Sequence, residues 1–122
     1  MFNEVLIENF QSHEKTKLRF NPGVNAILGS SDSGKSALLR AMLWVVENRP
    51  LGQAFISHWA FNDKQKIEKP CRVELSLSDG TVSRQRGKEE NNYTLNGEAL
   101  DAPGTDVPDD VALFLNLGEV NI

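Results

Sequence analysis

Gly29-Ser30-Ser31-Asp32-Ser33-Gly34-Lys35-Ser36 decides how the rest of this chain is read. The stretch matches G-x-x-x-x-G-K-[ST], the phosphate-binding loop known as Walker A, and each fixed position has a physical task. Gly29 and Gly34 let the backbone fold tightly around an anion. Successive N–H groups then point inward, in a nest completed by the N-terminus of the helix that follows. Lys35 is suited to reach the β- and γ-phosphates of a bound triphosphate, and the Ser36 hydroxyl to ligate Mg2+. A flexible Gly/Ser turn can produce the same letters, so the context decides. Val24 to Leu28 reads as a short buried strand entering the loop. From Ser36 onward, Leu38, Leu39, Met42, Leu43 and Val46 recur at helical intervals. Strand, loop and amphipathic helix together form the setting that a phosphate loop requires. Asp32 is read as a turn residue, because an acid catalyst this close to phosphates is electrostatically unfavourable.

Upstream of the loop, Phe2, Val5, Ile7 and Phe10 suggest one half-buried strand, and Lys15 to Phe20 alternates as a second. The two are expected to pair as a hairpin, and Asn21-Pro22-Gly23 turns the chain into the loop strand. Downstream, Asn48-Arg49-Pro50 and Gly52 stop the helix. Gln53 to Pro70 lacks a period and reads as an irregular connection with a short helix. Val73, Leu75 and Leu77 alternate with polar residues, and Asp79-Gly80 turns the chain into Thr81 to Arg86. Tyr93-Thr94-Leu95, Asn96-Gly97 and Glu98-Ala99-Leu100 read as a further hairpin with a type I′ turn. Pro108, Asp109 and Asp110 open a last helix, with Val111, Leu113, Phe114 and Leu117 as its expected buried side and Gly118 as its C-cap. The expected fold is α/β with α+β character: a mixed sheet and an antiparallel β subdomain packed around the loop helix, in one domain over residues 1–122.

The 122 residues carry a net charge of -4, which argues against nucleic-acid binding through overall basicity and leaves a local basic patch open. The one cysteine, Cys71, cannot form an internal disulfide and reads as a buried structural thiol. No apolar run approaches the roughly 20 residues of a membrane helix, and the N-terminus lacks a signal-peptide layout, so a cytoplasmic or nucleoid-associated protein without a membrane partner is expected. Arg84, Arg86 and Lys88 cluster on a strand. They read either as a DNA-contacting patch or as a solvated edge that discourages sheet-to-sheet aggregation. Trp44 and Trp59 could stack on a base, but an aromatic on an amphipathic helix more often packs in the core.

Ile7-Glu8-Asn9-Phe10-Gln11-Ser12-His13, followed by Leu18-Arg19-Phe20, Pro22-Gly23-Val24-Asn25 and the phosphate loop, resembles the N-terminus of the SMC, SbcC, RecF and RecN group of ABC-type ATPases. The resemblance covers the chain in order. It implies an ATP-binding N-terminal lobe of a DNA-repair or chromosome-maintenance ATPase that dimerises head to head, with ATP and Mg2+ held between protomers. Ser31 to Ala37 matches the stretch that holds the nucleotide, and Lys35 is its catalytic lysine. Gln11 falls where many relatives have an arginine touching the nucleotide, and Asp32 departs from the glycine usual there. Ile56, Ser57 and His58 match the loop that often contacts base or ribose, with Ser57 the candidate contact. His13 resembles a histidine of the lead-in turn and reads as a turn-stabilising hydrogen-bond partner. The resemblance also implies partners: a C-terminal lobe of the same ATPase, a second protomer, DNA, and in some relatives a nuclease subunit.

A working site of that type also needs a Gln loop, a signature motif, a Walker B acid pair and a switch histidine, none of which is recognisable here. The chain therefore reads as a lobe that ends just before the Gln loop and is inactive in hydrolysis on its own. Two other readings stay open. One is a different P-loop enzyme such as a GTPase or nucleoside kinase, although Asn62-Asp63-Lys64 does not supply the N-K-x-D that reads guanine. The other is a non-catalytic, split-off interaction module.

Overall fold

The computed structural model describes residues 2–11, 13–19, 32–48, 56–64, 66–88, 91–101 and 107–117. In chain order the elements are β1 (Phe2–Phe10), β2 (His13–Arg19), α1 (Asp32–Glu47), a 3-10 turn (His58–Ala60), β3 (Cys71–Leu77), β4 (Gly80–Arg86), β5 (Asn91–Leu95), β6 (Glu98–Asp101) and α2 (Asp109–Leu117). The strand expected over Val24 to Leu28 and the caps at Gly52 and Gly118 lie outside the described residues.

The six strands form a single sheet in the order β2-β1-β3-β4-β5-β6, antiparallel at every described pairing. Three of the joins, β1–β2, β3–β4 and β5–β6, are expected hairpins, and a fourth, β4–β5, pairs strands that are neighbours in the chain. The fifth is long-range: Val5 faces Leu18 on one side and Leu75 on the other, and Ile7 faces Thr16 and Val73. This pairing fuses the lead-in hairpin to the middle hairpins, which the sequence presents as separate units. At the β5–β6 turn Asn96 and Gly97 both have positive φ, 49° and 87°, as a type I′ turn requires. Gly80 also has positive φ, and a Cβ there would collide with the Asn96 side chain, whose Oδ1 accepts from the Thr81 amide at 3.0 Å. One turn thus braces the other.

Strand alternation sends Val5, Ile7, Val73, Leu75, Val82 and Tyr93 to one face, where all are fully buried, and α1 packs across β1, β3 and β4 on that side. Ala41, Met42, Trp44 and Val45 of α1 close the core. The opposite face is polar. Glu4 meets Lys17 at 3.5 Å and Arg19 at 3.1 Å, while Arg72 meets Glu74 at 3.0 Å and Glu8 at 3.9 Å. Such solvated pairs contribute about 0–1 kcal/mol each, so the fold rests on its apolar face.

The last helix differs from expectation on one side. Val111 and Leu115, one turn apart, are its buried pair and Phe114 is half-buried, whereas Leu113 is 57% exposed. α2 meets the sheet at β5, which leaves room for a narrow stripe. Position 113, two residues from 111, lies near the far side of the helix. No helix among the described residues is long and apolar enough to cross a membrane.

Candidate nucleotide site

α1 begins at Asp32, four residues before the expected start at Ser36. The second half of the phosphate motif, Asp32 to Ser36, is therefore the opening of the helix, with Ala37 next. The first N–H groups of any α-helix lack intrahelical partners and carry the positive end of its dipole, so these residues present backbone donors without intrahelical acceptors. Gly29 and Ser31 lie outside the described residues, as do the side chains of Asp32, Ser33, Lys35, Ser36 and Ala37.

Beside this helix the end of β1 is held in an unusual backbone shape. Asn9 and Gln11 both have left-handed φ, 55° and 48°. Asn and Gln are not glycine, so this geometry is stabilised by fixed contacts around it. The Asn9 Nδ2 donates to the Pro70 carbonyl at 2.9 Å, and its Oδ1 accepts from Trp59 Nε1 at 2.9 Å. The Ser57 amide donates to the Asn9 carbonyl at 3.0 Å, and the Ser57 hydroxyl to the Gln11 carbonyl at 2.6 Å. Phe10 bridges to Ile56 and packs its ring 5.9 Å from Trp44. The lead-in turn is thus clasped to the 56–70 segment on one side and to α1 on the other.

Ser57 therefore sits differently from the nucleotide contact expected of it. It is 3% exposed, and its hydroxyl is committed to the turn. Ile56 is buried as well, while His58 is exposed with its ring edge-on to Trp59. The side chain of His13 lies outside the described residues. Gln11 is half-buried, and its Oε1 accepts from Arg40 Nε of α1 at 2.9 Å. Arg40 is a residue that helical periodicity marks only as part of the polar face.

The basic cluster divides. Lys88 is exposed and Arg86 half-buried, but Arg84 is only 4% exposed, which corrects its reading as a surface cation for DNA. Its Nε donates to Asn48 Oδ1 at 3.1 Å and its Nη2 to Asn91 Oδ1 at 2.7 Å. Nη1 is shared between the Gln85 and Asn92 carbonyls at 2.9 and 3.3 Å. The guanidinium lies 4.9 Å from the Trp44 ring centre and 5.3 Å from that of Tyr93. Alternation from Val82 places Arg84 on the apolar face, and that was the signal available in the sequence.

Arg84 and Tyr93 also serve the far end of α1. The Tyr93 hydroxyl reaches the Val45 and Trp44 carbonyls at 2.9 and 3.2 Å, and Asn48, with φ of 55°, ends the helix. A buried cation and a hydroxyl donor thus meet the negative end of the helix dipole. Trp44, 1% exposed, belongs to this core.

Burial sets the protonation of this region. It lowers the Arg84 pKa and raises that of Tyr93, with the Arg84 charge opposing the rise at Tyr93. It pushes the Cys71 thiol up to about 12, again against Arg84. Below about pH 9 both folded and unfolded chains keep the thiol proton, and its contribution to stability is fully present. As pH rises, the unfolded thiol ionises first and the unfolded tyrosine next, so the folded state binds more protons and stability falls. Chemical denaturation should show a loss on the order of 2 kcal/mol by about pH 10.5. Cys71→Ser should flatten the first part of that decline, and the native thiol should resist thiol reagents until the chain unfolds.

Residues 4–107 match the family model described as AAA domain, which spans most of the chain. The chain belongs to the AAA domain family. Within it, the chain is 55% identical over 40 residues to the DNA double-strand break repair Rad50 ATPase of Pyrococcus abyssi, covering 33% of this chain and 4% of that protein. It is 35% identical over 63 residues to the DNA replication and repair protein RecF of Listeria welshimeri, covering 52% of this chain and 15% of that protein. The chain thus spans a small part of these relatives' length. Among solved structures, an SMC ATPase described in terms of ATP-driven dimerization and DNA-stimulated activation superposes with a TM-score of 0.70 at 19% identity. The match covers 98% of this chain and 80% of that one. RecF bound to an ATP analogue superposes with a TM-score of 0.63 at 24% identity, over 84% of this chain and 28% of that one. The chain thus has a mixed α/β fold around a six-stranded antiparallel sheet, shared with the SMC and RecF structures, and its sequence is similar to stretches of Rad50 and RecF proteins.

Proposed function

We propose that this AAA domain binds ATP with Mg2+ through the loop Gly29 to Ser36, as one lobe of a DNA-repair or chromosome-maintenance ATPase. The observation that carries the reading is the start of α1 at Asp32, inside the motif, so that motif and helix N-terminus are one continuous segment. Its donors are of the kind a Mg2+-triphosphate needs: a row of backbone amides, an ammonium and a serine hydroxyl. Gly34 carries no Cβ to obstruct the anion.

In this reading the amides of Gly29 to Ala37 hold the phosphates, Lys35 neutralises the charge on the β,γ-oxygens, and Ser36 is a Mg2+ ligand. Bound Mg2+ supplies further neutralisation of the phosphate oxygens. The clasp of Asn9, Ser57 and Trp59 holds the lead-in turn, and Tyr93 with Arg84 fixes the C-terminal end of α1. Hydrolysis belongs to an assembly with a C-terminal lobe and a second protomer, in the cytoplasm or on the nucleoid. DNA and a nuclease subunit are partners of that assembly. Arg86 and Lys88 remain the candidate DNA contacts on this lobe.

Millimolar ATP with Mg2+ is expected to raise the melting temperature, since a ligand at 100 times its Kd stabilises the native state by about 2.7 kcal/mol. GTP at the same concentration should stabilise less. Equal stabilisation by GTP, or steady ATP turnover by this chain unaided, would contradict the reading.

A further inference from the structure

Arg40 stands four residues after Ser36 on α1, so the two positions share a helix face about 6 Å apart along the axis. Helical side chains lean toward the N-terminus of their own helix, which carries the Arg40 head group back toward the phosphate motif. Arg40 is exposed, and its Nε–H donates to Gln11 Oε1 at 2.9 Å.

Gln11 is itself held. Its φ of 48° fixes the turn, and its carbonyl accepts from the buried Ser57 hydroxyl at 2.6 Å. Ser57 is in turn tied through its amide to the Asn9 carbonyl. A surface arginine ordinarily wanders over many rotamers, and this one is fixed by its innermost N–H to an anchored amide. The bond leaves Nη1 and Nη2, the fork that fits two phosphate oxygens, without an acceptor among the described residues. None of the described carboxylates forms an ion pair with Arg40 either. The partner at the inner nitrogen is neutral, so no described residue compensates the positive charge.

We propose that Arg40 is a second cation for the phosphate chain of the bound nucleotide, with Gln11 as its positioning residue. This rests on the ATP-binding reading above. A polyanion at the head of α1 meets one motif cation, Lys35, and an arginine pre-aimed from the next turn adds a bidentate, charge-assisted contact.

The test is an equilibrium titration of the 122-residue chain with ATP and Mg2+ at several salt concentrations, run on wild type, Lys35→Ala, Arg40→Gln, Arg40→Lys and Gln11→Ala. Arg40→Gln keeps a hydrogen-bonding side chain and removes the charge. It should weaken ATP binding about tenfold and flatten the salt dependence, while the melting temperature without nucleotide stays at the wild-type value. Arg40→Lys keeps the charge without the fork and should fall between, and Gln11→Ala should lose severalfold by freeing the arginine. Wild-type affinity in Arg40→Gln, with binding still abolished in Lys35→Ala, would overturn the role of Arg40 and leave the phosphate-loop reading standing. Should Arg40→Gln melt lower without nucleotide, the Lys variant decides: wild-type salt dependence with affinity within tenfold supports the proposal, and binding as weak as the Gln variant overturns it. If wild type shows no Lys35-dependent binding, the ATP-binding reading fails and the proposal fails with it.

Discussion

Trp44→Ala should lower the unfolding free energy by about 4 kcal/mol, the range measured when a buried tryptophan or phenylalanine is truncated to alanine. Trp44 is 1% exposed at the centre of the α1–sheet interface, with Phe10 stacked at a tilt on one side and the Arg84 guanidinium over its ring. Truncation removes the transfer free energy of the indole, opens a cavity and withdraws the aromatic face from a buried cation. For a domain whose whole stability is about 5–15 kcal/mol, that loss is a large fraction. Urea denaturation of wild type and variant measures it through the shift in midpoint. Trp44→Phe should recover more than half of the difference, because it restores most of the volume. A loss below about 1 kcal/mol in Trp44→Ala would mean that α1 is not seated as described here.

Arg84→Met should cost about 3 kcal/mol, although burying an arginine is itself unfavourable. Two effects compete. Methionine fills much of the stem volume and escapes the desolvation that lowers the arginine pKa. Against that, Asn48, 1% exposed, loses the Arg84 Nε donor to its Oδ1, and the carbonyls of Gln85 and Asn92 lose the Nη1 contact in a partly buried setting. A buried acceptor left without a partner costs about 1–3 kcal/mol, so losing several donors outweighs the relief of desolvation. Arg84→Lys should recover little, because one ammonium cannot serve acceptors spread around a planar fork. The measurement is again a urea midpoint, with the m-value as a check on two-state behaviour. A neutral or stabilised Arg84→Met would show that desolvation dominates and that Arg84 does not brace α1.

The local signals in the sequence carried most of the elements. Alternation over Val73 to Leu77, Asp79-Gly80 and Asn96-Gly97 located four strands, β3 to β6, and two of their turns, because period and turn chemistry are properties of neighbouring residues. The pairing of β1 with β3 joins positions more than sixty residues apart, and no short-range pattern specifies it. The burial of Leu115 in place of Leu113 depends on where α2 touches β5, which is likewise a tertiary fact. Arg84 is buried against the expectation from its charge, because the partners that make burial tolerable, Asn48 and Trp44 at the end of α1 and Asn91 and Asn92 of β5, belong to other elements of the chain.

Within the candidate site, the motif letters were legible and the arrangement of its surroundings was not. The clasp made by Asn9, Ser57 and Trp59, and the link between Gln11 and Arg40, each join residues from separate elements. The helix starts at Asp32 rather than near Ser36, although Gly34 and the serines lower intrinsic helix propensity, because that propensity is a weak local signal that tertiary context overrides.

The most direct test of the central claim is calorimetric titration of ATP into the chain, with and without Mg2+, for wild type and Lys35→Ala. The account predicts saturable binding of one nucleotide per chain that weakens when Mg2+ is chelated and disappears in Lys35→Ala, while the variant's fold, checked by its melting temperature, is unchanged. Equal binding by wild type and Lys35→Ala, or no binding by wild type, would contradict it.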